Sequence, residues 1–427
     1  MSISQPGNAV AGGCCGVRLR VVRALLLQFM ACIALVAPAA GWASVITASG
    51  VAADPLGLEP DVRQAFASFY VLDYDQAIAR FRAIENANPN NPLAVDFVLE
   101  TVVFRELNRL DLLDTTFYAH DGFLTGKHLV SVDPAVTGQV NLLAQKAIGL
   151  ANADLQAHPG DADALFARGW ARSLSSVYAG LVQRSFITAL RQALDARRDD
   201  ERVLQEMPNY ADAKLVVGIH EYVVGSLPFV FKMIAGVSGM PGSKSKGLAA
   251  LRDDAARGVI TSVEASTALA LFLRREAKYS DAVAVAQRLK SEYPRNFLFW
   301  LEVANLIKDS GEGPRAIVEY RAVLSRARSP GYFHSAHLEL AWFGLGDTLQ
   351  GQGDYAEAAS AFVTAAGQPG ASQEVKARSD LDAGKVYDLL HQRDKAIVEY
   401  QAAIRQAGGS GPGDAARKYL KTPYSVR

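Results

Sequence analysis

Four times in the last third of this 427-residue chain, an alanine opens an apolar helix face with the same internal spacing. The alanines are Ala282, Ala316, Ala358 and Ala396, and four residues further on stand Ala286, Tyr320, Phe362 and Tyr400. Three beyond those come Leu289, Val323, Ala365 and Ala403. Positions i, i+4 and i+7 share one side of an α-helix, so each set predicts an amphipathic helix. Twelve residues before each alanine is a small side chain: Ala270, Ala304, Gly346 or Gly384. A small residue facing a large one lets two antiparallel helices close up, as in a helical hairpin. The alanines are 34, 42 and 38 residues apart, so the unit is a repeat with loop insertions. This constrains the fold strongly, because one such hairpin cannot bury its own apolar face and must stack on its neighbours.

The pattern resembles the tetratricopeptide repeat, which couples a small residue in its first helix to an alanine opening the second. An aromatic residue follows one turn later, and a proline comes after the second helix. Pro294 takes that last place, twelve residues after Ala282. Trp300 and Trp342 precede the small residue in two units, and Leu273, Ile307, Leu349 and Tyr387 follow it. Arg393 departs from the pattern, standing where an aromatic is usual. The resemblance implies an all-α solenoid of six or seven hairpins wound as a right-handed superhelix, with residues 263–407 as its clearest part.

Residues 60–235 read as degenerate repeats. Ala77, Phe81, Ile84 and Pro89 mark one second helix; Ala147, Ala151 and Pro159 mark another, and Ala196, Val203 and Pro208 a third. Their partner helices are expected over 66–72, 162–178 and 211–224. Between 91 and 139 the pattern loosens, and Gly122, Gly126 and Pro134 predict a long irregular connection. Residues 236–262 read as a loop and a connecting helix, and the glycine-rich run from Gly408 to Gly413 makes 408–427 a flexible tail. In the middle, Tyr210-Ala211-Asp212-Ala213, Gly218-Ile219-His220-Glu221-Tyr222, Gly225-Ser226-Leu227-Pro228 and Lys246-Gly247-Leu248 look like exported bacterial tetratricopeptide proteins. They are faintly similar to the eukaryotic tetratricopeptide-39 group. That likeness implies architecture and no catalytic residue.

Residues 1–43 read as a targeting segment. Arg18, Arg20 and Arg23 precede an uncharged apolar run from Ala24 to Ala37, too short to span a bilayer comfortably. Gly41-Trp42-Ala43 offers small residues for cleavage after Ala43, with Ala39 or Ala40 as alternatives, and an uncleaved anchor is the other reading. A lipoprotein reading would need Cys32, which Phe29-Met30-Ala31 approaches poorly. Export to a bacterial periplasm or cell envelope is therefore expected. Cys14, Cys15 and Cys32 all lie in this segment, so a cleaved chain has neither disulfides nor thiol chemistry. Lys+Arg and Asp+Glu each number 44, so no global field draws the chain to nucleic acid.

Fragments that suggest chemistry fail on spacing. His220-Glu221 would open a zinc HExxH motif, but Val224 stands where the second histidine belongs. The segment Gly242–Gly247 is followed by Leu248 where a phosphate loop needs lysine, and reads as a loop capping the next helix. His334 and His337 could share a helix face as half a metal site, with Glu339 off that face. Asp253-Asp254 reads as a solvated helix turn. No cofactor, metal or catalytic constellation emerges, so the chain is expected to bind a protein or peptide, and no pattern specifies an oligomeric state.

Two binding surfaces are expected. The repeat places Arg274, Arg275, Asn305, Lys308, Asp347, Gln350, Lys385 and Asp388 along the concave groove, where donors could hold a peptide backbone or terminal carboxylate. A solvated face of mixed charge is the plainer alternative. The second is the apolar run from Tyr222 to Gly242, including Leu227, Phe229, Phe231, Met233 and Ile234, with only Lys232 charged. It suits a partner or peripheral membrane contact, or packing inside the superhelix.

Overall fold

In the computed structural model the described residues are 59–119, 131–226, 242–409 and 411–426. The leader at 1–43 and the apolar residues Leu227, Phe229, Phe231, Met233 and Ile234 lie outside them. Seventeen α-helices and no strand occur among the described residues. The first seven are α1 (Glu59–Phe69), α2 (Tyr74–Ala87), α3 (Pro92–Arg109), α4 (Pro134–Ala157), α5 (Ala162–Leu181), α6 (Phe186–Glu206) and α7 (Lys214–Ser226). Then come α8 (Lys244–Arg257), α9 (Ser262–Arg275), α10 (Tyr279–Glu292), α11 (Phe297–Asp309) and α12 (Gly313–Ala327). The array finishes with α13 (Leu338–Gln352), α14 (Tyr355–Ala366), α15 (Gln373–Leu389), α16 (Arg393–Ala407) and α17 (Gly411–Lys421). Each packs chiefly on its sequence neighbours, the signature of a solenoid of tetratricopeptide-type hairpins.

One turn builds five of the hairpins. Leu72, Ala277, Gly311, Gly353 and His391 all have positive φ and stand two residues before the second helix begins. In each, the next amide donates to the carbonyl five residues back: Asp73 to Ser68, Lys278 to Leu273, Glu312 to Ile307, Asp354 to Leu349 and Gln392 to Tyr387. This closes the spent carbonyls of the first helix by a Schellman cap. Only two of the five residues are glycine, so sequence alone does not reveal the turn.

Each anchor alanine follows five residues after the left-handed one, and Ala77, Ala282, Ala316, Ala358 and Ala396 are all fully buried. The small residues of the first helices earn their place by contact. A Cβ on Gly346 would meet the Phe362 ring at 2.9 Å, and one on Gly384 would meet Tyr400 Cε1 at 2.5 Å. The middle motif works the same way. A Cβ on Gly247 would lie 2.6 Å from the Gly218 carbonyl, so these two glycines let α7 and α8 touch backbone to backbone. Ser243 caps α8 by accepting from the Lys246 amide.

Three expectations are corrected. Residues 92–109 are not an irregular connection but helix α3, with 15 of its 18 residues buried. A helix covered on every side has no polar face, so its periodicity vanishes from the sequence. Asp254 is not solvated: it is fully buried and accepts from Thr261 Oγ1 at 3.0 and 3.1 Å. Burial first, and then the Asp212 charge, push its pKa up to about 9. Finally, the tail is no free segment, because α17 buries Ala416 against α15 and α16. Arg393 donates to the Tyr419 and Leu420 carbonyls, which explains a cation where the repeat usually has an aromatic.

Two substitutions test these packing arguments. Gly384→Ala should destabilise the chain by about 1–3 kcal/mol through overpacking against Tyr400. Ala277→Gly should stabilise it by about 0.5–1 kcal/mol, since relief of left-handed strain outweighs the added freedom of the unfolded chain. Urea midpoints at constant m-value measure both.

Candidate partner groove and its occupants

At the end of α3 the same Schellman turn recurs, with Asp111 left-handed and the Leu112 amide donating to the Leu107 carbonyl at 2.8 Å. Here the next described element is not an α-helix. Asp114 instead caps one 3₁₀ turn, Thr115–Tyr118, which runs into the groove of the C-terminal repeats. Arg274, at the end of α9, donates from Nη1 to Thr115 Oγ1 at 3.0 Å and from Nε to Asp309 at 2.6 Å. Thr115 in turn donates to Glu302, and Arg275 donates to the Tyr118 carbonyl at 2.8 Å. Burial opposes the Arg274 charge, but Glu302 and Asp309 override it and raise the guanidinium pKa.

The eight expected groove residues are thereby divided. Arg274, Arg275 and Asn305 hold the chain's own 114–118 segment; Asn305 Nδ2 lies 3.3 Å from Asp114 Oδ1, and its carbonyl oxygen accepts from Tyr320 OH at 2.5 Å. Asp388 is taken by Arg393, by Tyr400 OH at 2.8 Å and by the Tyr424 amide at 2.8 Å. Lys385 pairs with Asp382 at 2.7 Å and lies near the Tyr424 ring. Lys308 and Asp347 face each other at 2.7 Å, and Gln350 is half-buried beyond them. The structure thus does not gather the eight into one open site. The repeat's own tyrosines and its inserted segment use the donors that a peptide would need.

What stays open is a pocket of about 360 Å3 between the inserted segment and α11, α13 and α15. Its rim carries Asp114, Asp309, Asp347, Glu374 and Asp382 against Arg274, Lys308 and Arg378. The Arg378 guanidinium lies 5.3 Å from the Phe117 ring centroid and 4.7 Å from that of Phe343, held as a cation–π pair. Five carboxylates against these three cations, with Lys385 pairing Asp382 from beside the lining, leave the pocket weakly negative.

His334 and His337 precede α13 rather than sharing a face on it. His334 lies toward Asp73 at 3.5 Å, whereas His337 Nδ1 sits 2.7 Å from Asp111 and 2.8 Å from Glu339. Asp111 is 226 residues away in sequence, which is why no spacing argument finds it. These three ligand atoms lie within 4.8 Å of one another and could hold a metal ion, yet their separations are those of hydrogen bonds. Burial alone would lower the His337 pKa, but the two carboxylates override it and raise it to about 9. The cluster therefore reads as an imidazolium joining the N-terminal hairpins to the C-terminal repeats. Its pKa lies above the ordinary 6.5, so its contribution is complete below about pH 6.5 and is lost as pH rises through about 9. His337→Gln should cost roughly 3 kcal/mol at pH 6, and the gap should close by pH 10 in paired urea titrations.

His220, the remnant of the failed zinc motif, is buried with Nδ1 2.6 Å from Arg197. Burial and that guanidinium depress its pKa to about 4.

No family model matches this chain, and no curated protein matches it. Among solved structures it is similar to the Cut9 and Hcn1 hetero-tetramer of the APC/C, with 13% identity and a TM-score of 0.48. That match covers 86% of this chain and only 57% of the other. Yeast Tom70 matches at 11% identity and a TM-score of 0.39, over 86% of this chain and 91% of that one. A human IFIT1 dimer with m7Gppp-AAAA matches at 13% identity and 0.41, over 86% and 80%. At such values the likeness extends to stacked helices and brings neither partner nor ligand to this chain. Among the described residues no helix is long and apolar enough to cross a membrane.

Proposed function

We propose that this chain is a non-enzymatic interaction scaffold that captures a basic segment of a protein partner in the acidic pocket beside α11, α13 and α15. The observation carrying this reading is the excess of carboxylates on the rim of that pocket. Asp347 is exposed there, and Asp382 is half-exposed. A lysine or arginine entering between them would share Asp347 with Lys308 and Asp382 with Lys385, and the Phe117 and Phe343 rings add apolar contact. The same excess of carboxylates disfavours phosphate, so the partner is a protein rather than a nucleic acid. A terminal carboxylate is disfavoured for the same reason.

The leader ending at Ala43 supports a place in the bacterial periplasm or cell envelope, where such a scaffold would join an assembly. The apolar run around Phe229 and Phe231 favours a second reading, a membrane-peripheral assembly factor held by a retained leader. Osmotic shock separates the two, releasing a cleaved scaffold and leaving an anchored one.

Fluorescence polarisation with labelled decapeptides tests the pocket directly. Lysine- and arginine-rich peptides should bind at least about tenfold more tightly than glutamate-rich ones of the same length, a difference near 1.4 kcal/mol. Asp347→Asn with Asp382→Asn should remove most of that preference while leaving the melting curve in place. Equal binding of acidic peptides, or an unchanged preference in the double variant, would refute the pocket.

A further inference from the structure

Behind the inserted segment, on the opposite side from the acidic pocket, lies a second cavity of about 320 Å3. It is bounded by α1 and α3 on one side and by α9 and α11 on the other, with residues 112–118 as a third wall. Its surface is overwhelmingly apolar, made by side chains such as Phe69, Leu107, Leu112, Leu271, Leu298 and Phe299. A space of this size is at the lower end of small-molecule sites, about 300–1,000 Å3.

Three carboxyl groups stand in that apolar wall, Asp114, Glu264 and Glu302, and no cationic side chain lines it among the described residues. Glu264 lies deep among protein atoms and is only part-exposed, on the cavity side; it accepts from Tyr70 OH at 3.1 Å. Glu302 is 8% exposed; its Oε2 is engaged by Thr115 and lies 3.7 Å from Arg274 Nη1 behind the wall, whereas its Oε1 has no hydrogen-bond partner. A buried carboxylate oxygen without a donor is costly, and the neighbouring apolar surface supplies none. Burial raises both Glu264 and Glu302 to about 7, so both are charged in mildly alkaline solution.

We propose that this cavity binds a small apolar amine, its hydrocarbon body against α3 and α9 and its ammonium group donating to Glu302 Oε1 and toward Glu264. An apolar carboxylic acid of the same length meets like charge on three sides and is excluded. An alcohol donates once and gains no attraction, so it ranks between them. This site is distinct from the acidic pocket and stands or falls apart from the peptide reading.

The test uses the full chain and a neutral fluorescent probe, N-phenyl-1-naphthylamine, with displacement by decylamine, decanol and decanoate at pH 8. Saturable probe binding should be displaced in that order, decylamine acting at a concentration at least about tenfold below decanoate. Ala268→Phe, which fills the cavity from α9, should abolish probe binding, whereas Glu302→Gln should keep the probe and narrow the amine preference to within about threefold. Should Glu302→Gln fail to fold, Glu264→Gln takes its place, with the same narrowing expected. The site is overturned if the probe does not saturate, or if Ala268→Phe still binds it. The assigned chemistry is overturned if decanoate displaces as well as decylamine, or if the folded glutamine variant keeps the full preference.

Discussion

Arg274 is the constraint on which the two halves of this molecule depend. Its side chain is 2% exposed, and it answers Asp309 and Glu302, both on the next inner helix α11, and Thr115 from 159 residues earlier in the chain. A guanidinium can do this because its planar fork offers five donors in fixed directions, which a lysine cannot reproduce. Removing it would leave the buried Glu302 carboxylate, the part-exposed Asp309 and a threonine hydroxyl facing each other, a loss of about 3–5 kcal/mol for a broken buried pair. The His337 cluster repeats the device about one hairpin further along, with Asp111 in the role that Thr115 plays for Arg274. Tyr70 is a third tie, donating to Glu264 and accepting from Asn296 Nδ2 at 2.9 Å through its carbonyl. Together these polar ties convert a stack of neighbour-only contacts into a closed one.

Closure explains why the concave face does not serve as the repeat alone would suggest. In an open solenoid, the residues of the inner helices point at solvent and await a ligand. Here the turn after α3 has the left-handed residue and Schellman cap of those five hairpins, but it leads directly into a 3₁₀ turn aimed inward. Asn305 and Asp388 are also bound by the tyrosine hydroxyls one hairpin arm away, Tyr320 and Tyr400. The aromatic position of the repeat therefore carries two tasks in those units, filling the gap over a small residue and fixing an inner polar one.

What could be read from the sequence follows the range of the interactions involved. The small-to-ring contacts of Gly346 with Phe362 and Gly384 with Tyr400 act within one hairpin, so their spacing is printed in the chain. The turn itself was hidden, because Ala277, His391 and Leu72 adopt a conformation that points to glycine in only two of five units. Helix α3 was hidden by its very burial, since polar residues such as Asp96 and Glu100 are buried with the apolar ones and no solvent-facing stripe is left to count. Of the groove residues, Arg274, Arg275 and Asn305 hold the chain itself. Their partners, Asp114, Thr115 and Tyr118, come from a segment whose local sequence shows only a loosened pattern. Asp111 and His337 show the limit most plainly: a contact across 226 residues has no local signature at all.

The inserted segment gives the molecule two chambers that share a wall. Asp114 and Asn305 line both the acidic pocket and the apolar cavity, and Thr115 and Tyr118 face the cavity while Thr116 and Phe117 face the pocket. Residues three apart on this 3₁₀ turn thus face the cavity, and the two between them face the pocket. On the pocket side the Phe117 ring lies 5.3 Å from the Arg378 guanidinium of α15, and on the cavity side Thr115 accepts from Arg274 and donates to Glu302. The polar ties that occupy the inner face of the groove are thereby the same ones that build the wall between these two spaces.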